Sequence, residues 1–357
     1  MHHIQKLEKL PPQKEKVESI EILRQLSKAS QALGELKGIA QTMPNQEMLI
    51  NAVVLQEAKD SSEIENIITT QDQLYKALST KSKQLPQVKE VINYRKAIFT
   101  GYDILKKQGF LKLRDVEFIQ QTIIENNAGI RSVSGTVLKN DRTGEVVYTP
   151  PQDKSEILDL LGNFLEHFNI NHEDTPPLIN LAILHYQFES IHPFYDGNGR
   201  TGRILNILYL IINKLLDIPI LYLSSYISRN KTDYYRLLNK VNNENKWEEY
   251  ILYILKGIEE TSKQTITKIQ SINQLLFETL ETVQNQEPKI YRKELIELLF
   301  EHPYSKIEYV VEKLGVERKA ASRYLKTLEK IGILTSEKIG RENIFVNTKL
   351  IEILKKH

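Results

Sequence analysis

The chain has 357 residues, 41% hydrophobic and 26% charged, with no cysteine and 48 Lys and Arg against 46 Asp and Glu, a formal net charge of +2. That length allows two or three domains with a sizeable core, and the missing cysteine excludes disulfides, thiolate catalysis and cysteine-ligated zinc. The near balance of charge excludes a chain that binds nucleic acid or a membrane surface over its whole face, so any basic patch must be local.

The first residues, MHHIQKLEKLPPQ, hold no apolar core of signal-peptide length, and with the missing cysteine they predict a cytoplasmic protein. Beyond Pro11 and Pro12, Ile20, Leu23, Leu26, Leu33, Leu36 and Ile39 recur at helical spacing, and Pro44 and Asn45 end that helix. Met48, Leu49, Val53, Val54 and Ala58 predict a second helix, up to Asp60, Ser61 and Ser62. Read by itself, SSEIEN (61–66) is an N-cap and the acidic first turn of a new helix carrying Ile64, Ile67 and Ile68, a cap contributing about 1 kcal/mol. Helices are predicted over 88–107 and 114–125. Between Gly129 and Pro151 the helical period is lost. Thr136, Val137 and Leu138, then Glu145, Val146, Val147 and Tyr148, are short β-rich runs, and Asn140, Asp141 and Gly144 between them favour a turn, so a hairpin is predicted. Pro176 and Pro177 open a helix through Leu178, Leu181, Ala182, Leu184, His185, Phe188 and Ile191, on whose apolar face His185 reads as a packed structural residue.

The densest chemistry follows, at 192–203: HPFYDGNGRTGR. Gly197, Asn198 and Gly199 can adopt backbone angles that other residues avoid, so their N–H groups can form an anion-binding nest. Ile204, Leu205, Ile207, Leu208, Leu210, Ile211 and Ile212 make the next stretch a buried helix, which sets the nest at a positive helix N-terminus. Arg200 and Arg203, three apart on one face, offer planar forks for phosphate, with Thr201 and Gly202 between them. Asp196 is a magnesium-type ligand and His192 a base. No other His or Cys stands near at ligand spacing, so zinc is not expected. The longest apolar run, 204–223, is broken by Asn206, Asn213, Lys214, Asp217 and Pro219 and reads as core helix and not as a membrane span.

Trp247 opens a helix predicted to about Lys268, and the polar Gln284, Asn285, Gln286, Glu287 and Pro288 read as a linker. Helices over 291–300, 307–314 and 317–331, the last two ended by Gly315 and Gly332, precede a two-stranded wing of Ile333 and Leu334 with 343–346. This order resembles a winged helix-turn-helix whose third helix presents Arg318, Lys319, Ser322, Arg323 and Lys326, with Lys338 and Arg341 on the wing. DNA, or a protein or dimer contact, are equally open as its partner.

The stretch 192–203 resembles the signature of the Fic family, H-x-F-x-[D/E]-G-N-G-R-x-x-R, at every specified position. The resemblance implies a mainly α fold, a Fic-type helical bundle with a β-hairpin flap, here with a small α+β winged helix-turn-helix domain. It divides the chain into a regulatory helical segment (1–86), a catalytic core (87–282) and the winged helix (283–357). The implied activity is AMP transfer from ATP, with Mg2+ held by Asp196, to a Ser, Thr or Tyr hydroxyl of a target protein, His192 being the base. Residues 196–203 would bind the nucleotide. Ser61, Glu65 and Asn66 match the family's inhibitory pattern [S/T]-x-x-x-E-[G/N], in which the glutamate pairs with the last arginine, here Arg203. The hairpin, with Val137, Leu138, Val147 and Tyr148, would be the flap that holds the target segment by strand addition. Tyr234, Tyr235 and Asn242 match a family pattern that lines the nucleotide pocket. Removal of AMP, transfer of another phosphate-containing group, and a DNA-binding regulator with a sensory Fic domain are the other readings. A homodimer is also compatible with the pattern; a membrane partner is not expected.

Overall fold

The structure is a computed structural model that describes residues 6–79, 84–139, 144–170, 174–339 and 342–355. From the N-terminus come α1 (Lys14–Val17), α2 (Ile20–Ala40), α3 (Gln46–Ile64), α4 (Gln71–Ser79), α5 (Pro86–Gln108) and α6 (Leu113–Ile124). Strands β1 (Leu138–Lys139) and β2 (Val146–Tyr148) pair antiparallel with a register shift. Then follow α7 (Lys154–Asn169), α8 (Pro177–Ile191), α9 (Asn198–Ile212), α10 (Leu223–Arg229), α11 (Lys231–Glu244) and α12 (Trp247–Gln286). Last come α13 (Lys293–Glu301), β3 (Tyr304–Ser305), α14 (Ile307–Leu314), α15 (Arg318–Lys330), β4 (Thr335–Ile339), β5 (Glu342–Val346) and α16 (Thr348–Lys355). The fold is mainly α with small antiparallel sheets, as the sequence predicts. Among the described residues no helix is long and apolar enough to cross a membrane.

Local chemistry sets the helix ends. Ser19 accepts the Ile22 N–H at 3.2 Å to cap α2, and Asn45 accepts the Glu47 N–H at 2.9 Å to cap α3. Pro86 and Pro177 open α5 and α8, where a missing N–H costs nothing. The centre is α8 against α9. Both are buried on nearly all sides, α8 by α7, α9 and α12, and α9 by α3, α5 and α6. Phe164, Phe168, Phe188, Phe194 and Tyr209 link ring to ring with centroids 5.5 to 6.4 Å apart, so the loop after α8 is anchored in the core through Phe194.

Several expectations are corrected. SSEIEN does not start a helix. Ser61 and Ser62 are buried inside the last turns of α3, and Glu65 is its C-cap. Ser61 belongs there because its small hydroxyl fits a tight contact with a charged partner, described below. The polar run 284–286 is the last turn of the 40-residue α12 and not a linker. Where a two-stranded wing is expected, β5 lies between β3 and β4 in a three-stranded sheet, and β4 begins at Thr335 and not at Ile333. Val137 precedes β1 instead of lying in it, and Asn140, Asp141, Gly340 and Arg341 lie outside the described residues.

The C-terminal elements grip α3 and α4. Asn45, the cap of α3, donates to the Glu301 carboxylate on α13, which also takes Lys313 at 3.1 Å. Tyr304 stacks on Tyr75 of α4 with centroids 5.6 Å apart, and its carbonyl accepts Ser79 Oγ at 2.9 Å. Lys76 pairs with Glu337 of β4 at 3.2 Å. The Leu354 carbonyl on α16 accepts Gln71 Nε2 at 3.1 Å and Lys268 Nζ at 3.3 Å.

Candidate active site

Helix α8 stops because His192 turns left-handed, φ 48° and ψ 58°, while its N–H still reaches the Phe188 carbonyl at 3.1 Å. Asn198 then folds the loop back on itself. Its Oδ1 accepts the Phe194 N–H and its Nδ2 donates to the Phe194 carbonyl, both at 2.8 Å. Gly197, at φ 79°, lets the chain enter α9, and a Cβ there would meet Ile124 at 2.9 Å. Its N–H is taken by Asp196 Oδ1 at 2.6 Å. The first backbone bond within α9 runs from the Thr201 N–H to the Gly197 carbonyl at 2.9 Å, which the Thr201 hydroxyl also reaches at 2.8 Å. The helix-start donors therefore sit on Asn198, Gly199 and Arg200, one residue later than the sequence suggests. They border a cavity of about 400 Å³ lined by Glu65, Ile67, Glu90, His192, Tyr195 and 196–200.

The two arginines are already paired. Arg203 is buried, its Nε donating to Ser61 Oγ at 2.8 Å and its Nη2 to the Ser61 carbonyl at 3.0 Å and to Glu65 Oε1 at 2.7 Å. Burial raises the Glu65 pKa, but the Arg203 charge and hydrogen bond outweigh it, and the carboxyl ends below its ordinary value. Asn66 comes next in a left-handed conformation, φ 63°, and accepts Lys231 Nζ at 3.1 Å through Oδ1. That backbone explains why Asn or Gly suits this position. A Cβ on Gly199 would lie 2.6 Å from Glu65 Oε1, so Gly199 makes room for the pair. Gly202 does the same for Glu189, whose Oε1 would be 2.5 Å from a Cβ there. Arg200 donates to Glu90 of α5 at 3.0 Å and lies 3.4 Å from Asp196.

Partial burial moves His192 and Glu189 away from their ordinary values. Burial, helped by the Arg131 charge, pushes His192 down to about 4, so its imidazole is neutral at pH 7 and free to accept a proton. Burial pushes Glu189 up to about 7, with Arg203 opposing and Glu65 adding to the rise. On α3 itself, Glu57 is pushed up to about 8 by burial, although the Ser224 hydroxyl and N–H and the Tyr94 hydroxyl all donate to it.

The remaining predicted residues are dispersed. Tyr234 is buried, its hydroxyl 2.9 Å from His185 Nε2, while His185 Nδ1 meets Asn206 at 3.1 Å; both are core residues. Tyr235 is largely exposed, edge-on to Tyr234. Asn242 accepts the Tyr186 hydroxyl at 2.6 Å and lines a second cavity of about 160 Å³ with 146–149 and Trp247. The structure thus brings Asn242 and Tyr148 together but leaves the buried Tyr234 out of the lining of both cavities. Val147 is half-exposed on the hairpin, Leu138 and Val137 are half-buried, and Tyr148 ties β2 to α8 through the Ser190 carbonyl at 3.0 Å. Sequence reasoning missed Glu90, Glu189 and Arg131. Only the adjacency of Glu189 to His192 was a visible signal.

Three family descriptions match the chain: Fic/DOC family N-terminal over residues 23–103, Fic/DOC family over 110–210, and the C-terminal domain of protein adenylyltransferase SoFic-like over 275–350. A probable protein adenylyltransferase of Aquifex aeolicus is 29% identical over 187 residues, 51% of this chain and 55% of that protein. Protein adenylyltransferase Fic of Drosophila yakuba is 32% identical over 112 residues, 31% of this chain and 21% of that protein. The chain therefore spans about half or less of these curated relatives. A solved Fic family protein from Desulfovibrio desulfuricans superposes with a TM-score of 0.60 at 16% identity, covering 94% of this chain and 98% of that one. Fic-1 of C. elegans gives 0.54 at 18%, covering 70% and 74%. With the signature loop, the helical bundle and these matches in agreement, the chain belongs to the Fic/DOC family.

Proposed function

We propose that this chain transfers AMP from ATP to a Ser, Thr or Tyr hydroxyl of a target protein, and that Glu65 restrains it by occupying Arg203. The carrying observation is the meeting at one cavity of a neutral imidazole, a helix N-terminus and a glutamate seated on an arginine fork. His192 takes the hydroxyl proton as that oxygen bonds to the α-phosphorus. The bond from phosphorus to the bridging oxygen breaks, and pyrophosphate leaves with the electron pair. The N–H groups at the start of α9 receive the charge on the phosphoryl oxygens. Arg200 and, once Glu65 has moved away, Arg203 orient the leaving group.

A magnesium ion fits Asp196. The side chain is 66% exposed, and its bonds to Gly197 and Arg200 both fall on Oδ1, which leaves Oδ2 as a ligand for an ion that takes one or two carboxylates. When bound, such an ion neutralises phosphate charge. The division into a regulatory segment (1–86), a core (87–282) and a winged helix (283–357) belongs to the same reading, as does the hairpin as the seat of the target segment. Its support is the exposure of Val146 and Val147 on β2. A DNA-binding role for the C-terminal unit has one observation in favour: Arg318, Lys319, Arg323 and Lys326 are exposed on α15 and Lys338 on β4, with Ser322 half-buried among them. Salt-dependent binding to duplex DNA checks it.

Intact-mass measurement with MgATP and a cell lysate tests the main reading. The Glu65→Gly variant adds one AMP to itself or to a lysate protein. His192→Ala in that background abolishes the gain while ATP still binds; retained transfer refutes the role of His192.

A further inference from the structure

Arg131 is buried completely, yet it lies in neither the signature nor the cavity lining. The hydrogen-bond partners of its guanidinium are all backbone carbonyls. Nε donates to the His192 carbonyl at 2.7 Å, and Nη2 reaches the Ile191 carbonyl at 3.3 Å and the Pro151 carbonyl. Its own N–H donates to the Pro193 carbonyl at 2.9 Å, next to the bridge between Ile130 and Phe194. Residues 131 and 151 bracket the hairpin, so one guanidinium joins both stems of the hairpin to the peptide of His192.

That peptide needs holding. His192 is a left-handed residue other than glycine, a conformation that costs about 1 kcal/mol or more and persists only where the surroundings fix it. A neutral side chain could not satisfy three carbonyls at once; the forked guanidinium can.

We propose that Arg131 is a positioning residue for group transfer: it fixes the His192 peptide in its turn and locks it in register with the hairpin. The proposal rests on the AMP-transfer reading above. The hydroxyl carried along β2 and the imidazole that takes its proton are then set by one side chain, and not by two elements that drift independently. Beside it, the groups that bear on the imidazole are the backbone of Glu189 on α8 and the carboxylates of Glu65 at the end of α3 and Asp196 in the loop.

The test compares Arg131→Met and Arg131→Lys, each in the full-length Glu65→Gly protein. For Arg131→Met, kcat for AMP transfer falls by about 10²-fold, the effect of a small misplacement of a reacting group. KM for ATP changes by less than about twofold, because the nucleotide contacts lie on α9. The acid limb of the pH–rate profile moves upward, since a cation near His192 has gone. Arg131→Lys keeps the charge but loses the fork, so the limb stays in place while kcat still falls. A variant that folds, judged by its thermal transition, and keeps the parent kcat and acid limb overturns the proposal. An activity-independent arm separates this from failure of the transfer reading: in the NMR titration of His192, the imidazole of Arg131→Met titrates at higher pH than that of the parent. An unmoved titration with unchanged hydrogen exchange at 190–194 overturns the proposal even if no AMP transfer is found in any variant.

Discussion

Replacing Glu65 with glycine gives the sharpest prediction of the lock. The pair is a single charge-assisted hydrogen bond of 2.7 Å from Arg203 Nη2 to Glu65 Oε1, with Arg203 otherwise held by Ser61 through Nε and the same Nη2. Glu65 can thus leave without unseating the arginine, since two of its three bonds remain. A hydrogen bond between charged groups contributes about 1.5–3 kcal/mol net, and Glu65 stands partly exposed at the cavity edge, which favours the lower half. At 1.4 kcal/mol per factor of ten, its removal raises AMP transfer by about 10- to 40-fold. Single-turnover transfer at saturating MgATP, read by intact mass, measures this. A change of less than about twofold at a rate well above background would mean that Arg203 does not limit the step. The pH behaviour gives a second handle. The Glu65 carboxyl is held below its ordinary range, so the bond is present above that range and is lost only as pH falls through the lowered value. The ratio of variant to parent activity is therefore flat between about pH 6 and 8.

Other substitutions test other parts of the molecule. Gly197→Ala forces a Cβ to 2.9 Å from Ile124 at a left-handed position; it lowers stability by about 1–3 kcal/mol, read as a drop in the thermal midpoint, and weakens ATP binding in calorimetry. Ser61→Ala strips a buried hydroxyl from Arg203 and costs about 1–3 kcal/mol in denaturant unfolding. Glu57 titrates near 8 when folded and near 4.5 when unfolded, so the folded state holds the extra proton between those values and stability falls as pH rises through them. Glu57→Gln flattens that slope, measured by urea unfolding at about pH 5.5 and 8; an unchanged slope would remove the group from the account.

The sequence made the site legible where chemistry is local. HPFYDGNGRTGR carries its own turn, helix start and charges, and the turn and the helix form there, with the free N–H groups one residue later than the spacing says. Periodicity likewise located α2, α5, α8 and α9, because their apolar faces repeat over several turns. What it hid were contacts made at long range by residues with no pattern around them. Ser61 and Ser62 look like a cap because serine usually caps, yet here both are buried inside α3 and Ser61 meets Arg203. Gln284, Asn285 and Gln286 look like a linker because they are polar, but the length of α12 carries them. Tyr234 looks like a ligand wall, but its hydroxyl is engaged by a buried histidine. Arg131 and Glu90 are ordinary surface types in the sequence, and only folding sets one under the base and the other against Arg200.

The grip of the C-terminal elements on α3 has a mechanical meaning. At 1.5 Å per residue, the 19 residues of α3 form a rod about 28 Å long. One end is pinned to Glu301 by Asn45, and the other delivers Glu65 to Arg203. A helix transmits axial displacement with little loss, so a shift of α13 along that axis arrives at the arginine as a shift of similar size. One ångström there would stretch a 2.7 Å hydrogen bond past bonding distance. The C-terminal elements and Arg203 thus meet at opposite ends of one rod, whose stroke need be no larger than a bond length to part Glu65 from the arginine.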